Sequence, residues 1–136
     1  MALYDWTEDF SVGISTLDGH HRKLFDLMNK LHEAMKEGRS EEVMTGIIKE
    51  LAAYTIYHFH EEEILMEKAN YSGLQLHKAA HREFIAKIEE YKDKIDNGMV
   101  IFVVVKLAST VAEWLKQHIM GMDKKYSDAM LASGIG

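Results

Sequence analysis

The segments His58-Phe-His-Glu-Glu62 and His77-Lys-Ala-Ala-His81 place imidazoles and carboxylates at four-residue spacing. On an α-helix, positions four apart lie ~40° from each other and one turn, ~6 Å, along the same face. His58 with Glu62, and His77 with His81, each therefore make a chelating pincer. On neighbouring antiparallel helices joined through Ala69-Asn-Tyr-Ser-Gly73, the two pincers would face one another and close round a metal ion. Burying Glu62 without a partner would cost several kcal/mol, a cost that coordinating a cation offsets. A lone histidine on an apolar face is usually a satisfied core residue. This quartet, two pincers on inward faces, is better explained by metal binding.

Two more histidines join it by position. His21 is on the inward stripe of the first helix, one turn before Phe25, and His118 is on that of the fourth. Asp123 follows His118 by five residues, ~140° round an ideal helix, so the two share a site only if the helix widens or breaks. Gly121 permits that, and a distorted turn between Ile119 and Asp123 is predicted. The other histidines read as bland. His60 is turned ~200° from His58 towards solvent, His20 sits ~100° from His21 at the helix shoulder, and His32 is ~16 Å along from His21. Neutral imidazoles with carboxylates suit first-row metals such as iron, whereas Mg or Ca would want an all-oxygen shell.

The elements that must position these groups are helices. The chain has no proline, nine methionines and abundant Leu, Glu, Lys and Ala. An arm over 1–17 carries Trp6 and Phe10 without helical period and should lay them on the bundle. Thr16 or Asp18 can cap a first helix over about 18–37, with Leu24, Phe25, Met28, Leu31 and Met35 inward and Gly38 ending it. Ser40, followed by Glu41 and Glu42, caps a second over 41–67, with Val43, Ile47, Leu51, Tyr54 and His58 on one side. Ser72-Gly-Leu-Gln75 matches a capping box for a third over 73–96, whose inward face is Leu74, His77, His81, Phe84, Ile88, Tyr91 and Ile95, and Asn97-Gly98 stops it.

The β-branched run Met99 to Val105 would pass for a buried strand by propensity. Val100, Val104, Leu107, Val111, Trp114, Leu115 and His118 nevertheless keep helical spacing, which predicts a fourth helix over 99–118. A short C-terminal helix is expected over 122–132. The fold class is all-α, an up-down-up-down four-helix bundle with an extended N-terminal arm, in a single domain of 136 residues. Such a length buries roughly two-thirds of the unfolded surface.

Bulk properties exclude other classes. A net charge of −6 and no gathered Lys/Arg run argue against nucleic acid. No apolar run approaches the ~20 residues that span a bilayer, so no membrane contact is expected of this segment. The absence of cysteine removes disulfides, zinc-thiolate sites and thiol nucleophiles, and suits a cytoplasmic setting. No general base or nucleophile is visible beside the candidate ligands.

Together, His21, His58-x-x-x-Glu62, His77-x-x-x-His81 and His118-x-x-x-x-Asp123 resemble the full ligand pattern of the hemerythrins. The likeness runs from about residue 6 to 126. It takes in Trp6, Gly13, Asp18, Leu24-Phe25, Phe59, Glu63, Met66 and Trp114-Leu115, as in bacterial hemerythrin domains. It implies two iron ions in an oxo- or hydroxo-bridged non-haem centre. His77, His81 and His118 would hold one iron and His21 and His58 the other, with Glu62 and Asp123 bridging. The second iron, one ligand short, would take O2 reversibly, for sensing or for storage and delivery.

The alternative use of such a centre is a di-iron oxidase, a peroxidase or a nitric oxide scavenger. Phe25, Phe59, Trp114, Leu115 and Ile119 should line the O2 pocket, with Ile119 as its gate. Domains of this kind occur alone and within larger signalling chains, including methyl-accepting chemotaxis proteins, and the two ends of this sequence are compatible with a piece of such a chain. Ile101, Phe102, Val103, Val105 and Ala108 are apolar beyond the inward stripe, and are expected to meet the arm, a signalling domain or a second copy in weak self-association.

Overall fold

The structure is a computed structural model of the chain, and it describes residues 5–106 and 112–136. Helices α1 (Ser15–Lys36), α2 (Glu41–Lys68) and α3 (Leu74–Asp96) are long, and α4 (Val100–Lys106), α5 (Ala112–Gly121) and α6 (Ser127–Ala132) complete the fold. The described residues include no strand. Helix α2 is central: it packs on α1, α3 and α4, and α4 in turn contacts α1 and α3, closing an up-down-up-down bundle. The β-branched stretch 100–106 is helical, so its spacing with the rest of the bundle outweighs its strand propensity. Leu107, Ala108 and Val111, and with them the continuity of the predicted fourth helix, lie outside the described residues. Among the described residues no helix is long and apolar enough to cross a membrane.

Helix ends follow local chemistry, with two departures from expectation. Ser40 Oγ accepts the Val43 N–H at 3.2 Å, capping α2. Gly38 and Gly98 take φ of +68° and +82° after α1 and α3, a conformation open to glycine, and the next residue's N–H returns to the carbonyl of Ala34 or Lys94. Helix α1, however, starts at Ser15 with Ile14 at its cap, so neither Thr16 nor Asp18 caps it. The Asp18 carboxylate instead accepts the Val12 N–H at 2.8 Å and the Ser11 hydroxyl at 2.6 Å, because the arm folds back over the first turn. Ser72 likewise does not cap α3. Gly73 holds that position, and a side chain there would sit 2.7 Å from the Tyr71 ring.

Most inward positions expected from periodicity are buried, from Leu24 on α1 to Ile95 on α3. Met35, Val43, Tyr54, Leu74 and Trp114 are only partly buried, since they lie at the shoulders or ends of their helices. The arm sets Phe10 edge-on against Phe25, with ring centroids 5.1 Å apart, and Trp6 beneath the Arg22 guanidinium. Val103 is fully buried, which removes it from the outer apolar face. Ile101, Phe102 and Val105 stay exposed.

Candidate metal centre

Five histidines and two carboxylates from four helices and one 3-10 turn meet in the bundle core. Helix α1 supplies His21, α2 supplies His58 and Glu62, α3 supplies His77 and His81, and α5 supplies His118. Asp123 reaches the same place because α5 stops at Gly121. Met122, with φ −110° and ψ −47°, turns the chain into a 3-10 turn over Asp123–Tyr126. Space beside Gly121 is open and the residue has no left-handed backbone, so the break does not depend on glycine sterics. All seven side chains are buried.

The donor atoms form two groups, in each of which all lie within 4.8 Å of one another. One holds His77, His81, His118, Glu62 and Asp123, and the other His21, His58, Glu62 and Asp123. The carboxylates are shared, each with one oxygen towards each group. Glu62 Oε1 is 3.1 Å from His77 Nε2 and 3.0 Å from His81 Nε2, while Oε2 is 3.3 Å from His58 Nε2 and 3.6 Å from His21 Nε2. Asp123 repeats the division: Oδ1 is 2.8 Å from His77 Nε2 and 3.1 Å from His118 Nε2, and Oδ2 is 3.1 Å from His21 Nε2.

Such an arrangement fits a pair of metal ions better than it fits itself. His21 Nε2, His81 Nε2, Glu62 Oε1 and Asp123 Oδ1 are buried and make no hydrogen bond, although polar atoms lie close by. Lone pairs that converge on a common point cannot satisfy one another, and a cation at that point satisfies them together. Without metal, protons take its place. Burial alone would lower His21 and His77, but the Asp123 and Glu62 carboxylates beside them reverse this and raise both to about 9. Burial and the Glu62 charge would raise Asp123, yet the imidazoles of His118, His21 and His77 hold it well below the usual carboxylate range. Glu62, which burial would also raise, is held well below that range by His58, His21 and His77. Burial lowers His58.

Groups around the donors orient them. His81 Nδ1 donates to Glu63 Oε2 at 2.8 Å, which leaves Nε2 free to face inward. Phe59 stacks on His81 at 3.8 Å and Trp114 on His118 at 4.6 Å. Tyr126 donates its hydroxyl to Glu62 Oε2 at 2.8 Å, and burial beside Glu62 and Asp123 raises its pKa well above the ordinary value, keeping it a donor. Position 126 carries one local signal in the sequence: it follows Asp123 by three, and residues three apart eclipse on a 3-10 turn. Tyr126→Phe should lower unfolding free energy by about 1.5–3 kcal/mol, the usual worth of a hydrogen bond to a charged group. Urea denaturation of the metal-free variant measures it, and an unchanged midpoint would mean that the bond contributes nothing.

The five expected pocket residues divide. Phe59 and Trp114 touch ligand rings directly. Phe25, Leu115 and Ile119 are buried in the same apolar cluster. A small apolar cavity of about 30 Å³ is bordered by Leu115, Phe84, Met28 and Leu51, but not by Phe25, Phe59, Trp114 or Ile119. Of the remaining histidines, His60 is exposed and His32 partly buried, and neither belongs to a donor group among the described residues. His20, expected to be bland, is not: its Nδ1 lies 2.9 Å from His58 Nδ1.

Comparison with known proteins agrees with this architecture. The family described as the hemerythrin HHE cation binding domain matches residues 12–129. A bacteriohemerythrin of Pseudomonas aeruginosa is 35% identical over 130 residues, covering 96% of this chain and 83% of that protein. A myohemerythrin of Riftia pachyptila is 33% identical, with 90% of each chain covered. A crystal structure of wild-type hemerythrin superposes with a TM-score of 0.82 at 28% identity, over 95% of this chain and 98% of that one.

Proposed function

Since the chain belongs to the hemerythrin family, we propose that its seven buried donors hold the two irons of an O2-binding centre. The protein binds O2 at a non-haem di-iron site. His77, His81 and His118 would hold one iron and His21 and His58 the other, and Glu62 and Asp123 would serve both. The carrying observation is the division of each carboxylate between a three-histidine and a two-histidine group. Unequal histidine numbers give the two-histidine side one protein donor fewer, and an ion held there would be the one open to O2.

An iron pair held by these residues would supply reversible electron exchange with O2. The chain's own residues make that exchange reversible. Five neutral imidazoles against two carboxylates restrain over-oxidation, in contrast to carboxylate-rich di-iron oxidases. Phe25, Phe59, Trp114, Leu115 and Ile119 keep water and protons from the site. Ile119, fully buried next to His118, is the gate. Ile119→His should speed autoxidation of the oxygenated protein or introduce peroxidase activity, followed by decay of its visible absorbance. An unchanged lifetime with no new activity would remove the gate.

The central test is addition of O2 to the anaerobically reduced, iron-loaded protein. A charge-transfer band should appear, and disappear under inert gas. Fast irreversible oxidation would instead mark an oxidase, peroxidase or nitric oxide scavenger, and a colourless protein would mark no iron centre. We assign the domain to the cytoplasm, in oxygen sensing or in storage and delivery. The exposed Ile101, Phe102 and Val105 on α4 are read as a weak contact face for a signalling domain or a second copy. Sedimentation at increasing concentration tests the second copy, and a strict monomer would exclude it.

A further inference from the structure

Each ligand imidazole aims Nε2 at the centre, and the group touching its Nδ1 selects its tautomer and ring orientation. His81 has the Glu63 carboxylate in that role. The Nδ1 atoms of His21 and His77 are buried without a hydrogen-bond partner. His58 has the imidazole of His20, Nδ1 to Nδ1 at 2.9 Å.

We propose that His20 is the positioning residue of the two-histidine half: its Nδ1 lone pair accepts the Nδ1–H of His58 and turns the His58 Nε2 lone pair to the metal. This inference rests on the reading of the centre given above. A contact between two Nδ1 atoms holds one proton. His58 Nε2 points at the shared donors, 3.3 Å from Glu62 Oε2, and must be unprotonated to bind a cation. The proton of neutral His58 is therefore on Nδ1, which makes His20 the acceptor, with its own proton on Nε2.

Packing holds His20 in that pose. Its ring lies edge-on to Tyr54 and to His58, with centroids 5.9 and 5.1 Å away, and tilted against Tyr57 at 5.5 Å. Consecutive residues of α1 thus do two jobs. His21 points into the centre as a ligand, and His20, ~100° round the helix, reaches across to α2 and steadies the other ligand of the same half. The two halves are consequently backed unequally. A carboxylate stands behind His81, whereas the neutral imidazole behind His58 directs the ring without adding negative charge.

Zinc, diamagnetic and redox-inert, tests this in the full chain apart from O2 binding. Imidazole 15N spectra of the zinc-loaded wild type should show His58 protonated at Nδ1 and His20 at Nε2. His20→Leu should weaken one of the two zinc equivalents by about 10–100-fold, the usual cost of losing an outer partner, and leave the other unchanged. The retained equivalent reports an intact bundle. His20→Gln, whose carbonyl oxygen accepts the same N–H but lacks the ring, should restore the weakened equivalent, which a packing role would not produce. The proposal is overturned if His20→Leu binds both equivalents as the wild type does, if His20→Gln is as weak as His20→Leu, or if His20 carries its proton on Nδ1. A wild type that takes up no zinc would overturn the reading of the centre as well. Wild-type uptake of two equivalents with indifferent variants overturns the role of His20 alone.

Discussion

Glu62→Ala should remove both metal ions at once. Its carboxylate is the one side chain of α2 that serves both donor groups, Oε1 towards His77 and His81, and Oε2 towards His58 and His21. Losing it strips a donor from each group and leaves a cavity where the shared oxygens stood. Removal of an outer partner already costs about 10–100-fold in metal affinity, so loss of a direct, shared donor should exceed 100-fold. His81→Ala is the control. It removes a donor from the larger group alone, leaving two histidines and two carboxylates there and the His21 and His58 group intact. Elemental analysis after anaerobic loading and desalting should find about two irons in the wild type, close to none in Glu62→Ala, and at least one in His81→Ala. Two irons retained in Glu62→Ala would mean that Glu62 is not a bridge.

Chelation should expose a stability maximum near pH 6.5 that the loaded protein lacks. Folded and empty, His21 and His77 keep their protons up to about pH 9, against 6.5 when unfolded. Their contribution is complete below 6.5 and is lost as pH rises towards 9, because the folded state then holds protons that the unfolded state has released. His58 and His20 work the other way. Burial lowers both, so the stability tied to their neutrality is present above 6.5 and lost on acidification. Glu62 and Asp123, held below their ordinary 4.5 and 3.8, add a further loss at lower pH.

Metal ions held by His21 and His77 would replace their protons, so loading at neutral pH should release about two protons per chain. The melting temperature of the empty protein should fall by roughly 5–10 °C between pH 6.5 and 9, and the gap to the loaded protein should widen. Thermal melts across that range, with proton release followed in weak buffer, measure both effects. A flat profile for the empty protein would rule out the charged imidazole and carboxylate network.

What the linear sequence determines here is what a helix determines. His58 with Glu62 and His77 with His81 share faces because a turn of helix is 3.6 residues, whatever surrounds it. The same periodicity sends Leu24, Ile47, Phe84 and Val104 inward, and a bundle buries four such stripes together. Ser40 and the glycines at 38 and 98 mark their helix ends by chemistry confined to a few neighbouring residues.

Tertiary structure decides the rest, because it concerns which oxygen faces which nitrogen across separate helices. The partition of the Glu62 and Asp123 oxygens between two histidine groups has no counterpart in spacing. The break at Met122 that brings in Asp123 is more than Gly121 could specify. Asp18 shows the same limit: its place in the first turn suggests a cap, but the arm's return makes it the acceptor for Val12 and Ser11 instead. Glu63, Tyr126 and His20 gain their partners only where helices cross. For His20 the helical wheel points the side chain off the ligand face, and the imidazole waiting there belongs to a residue 38 positions along the chain.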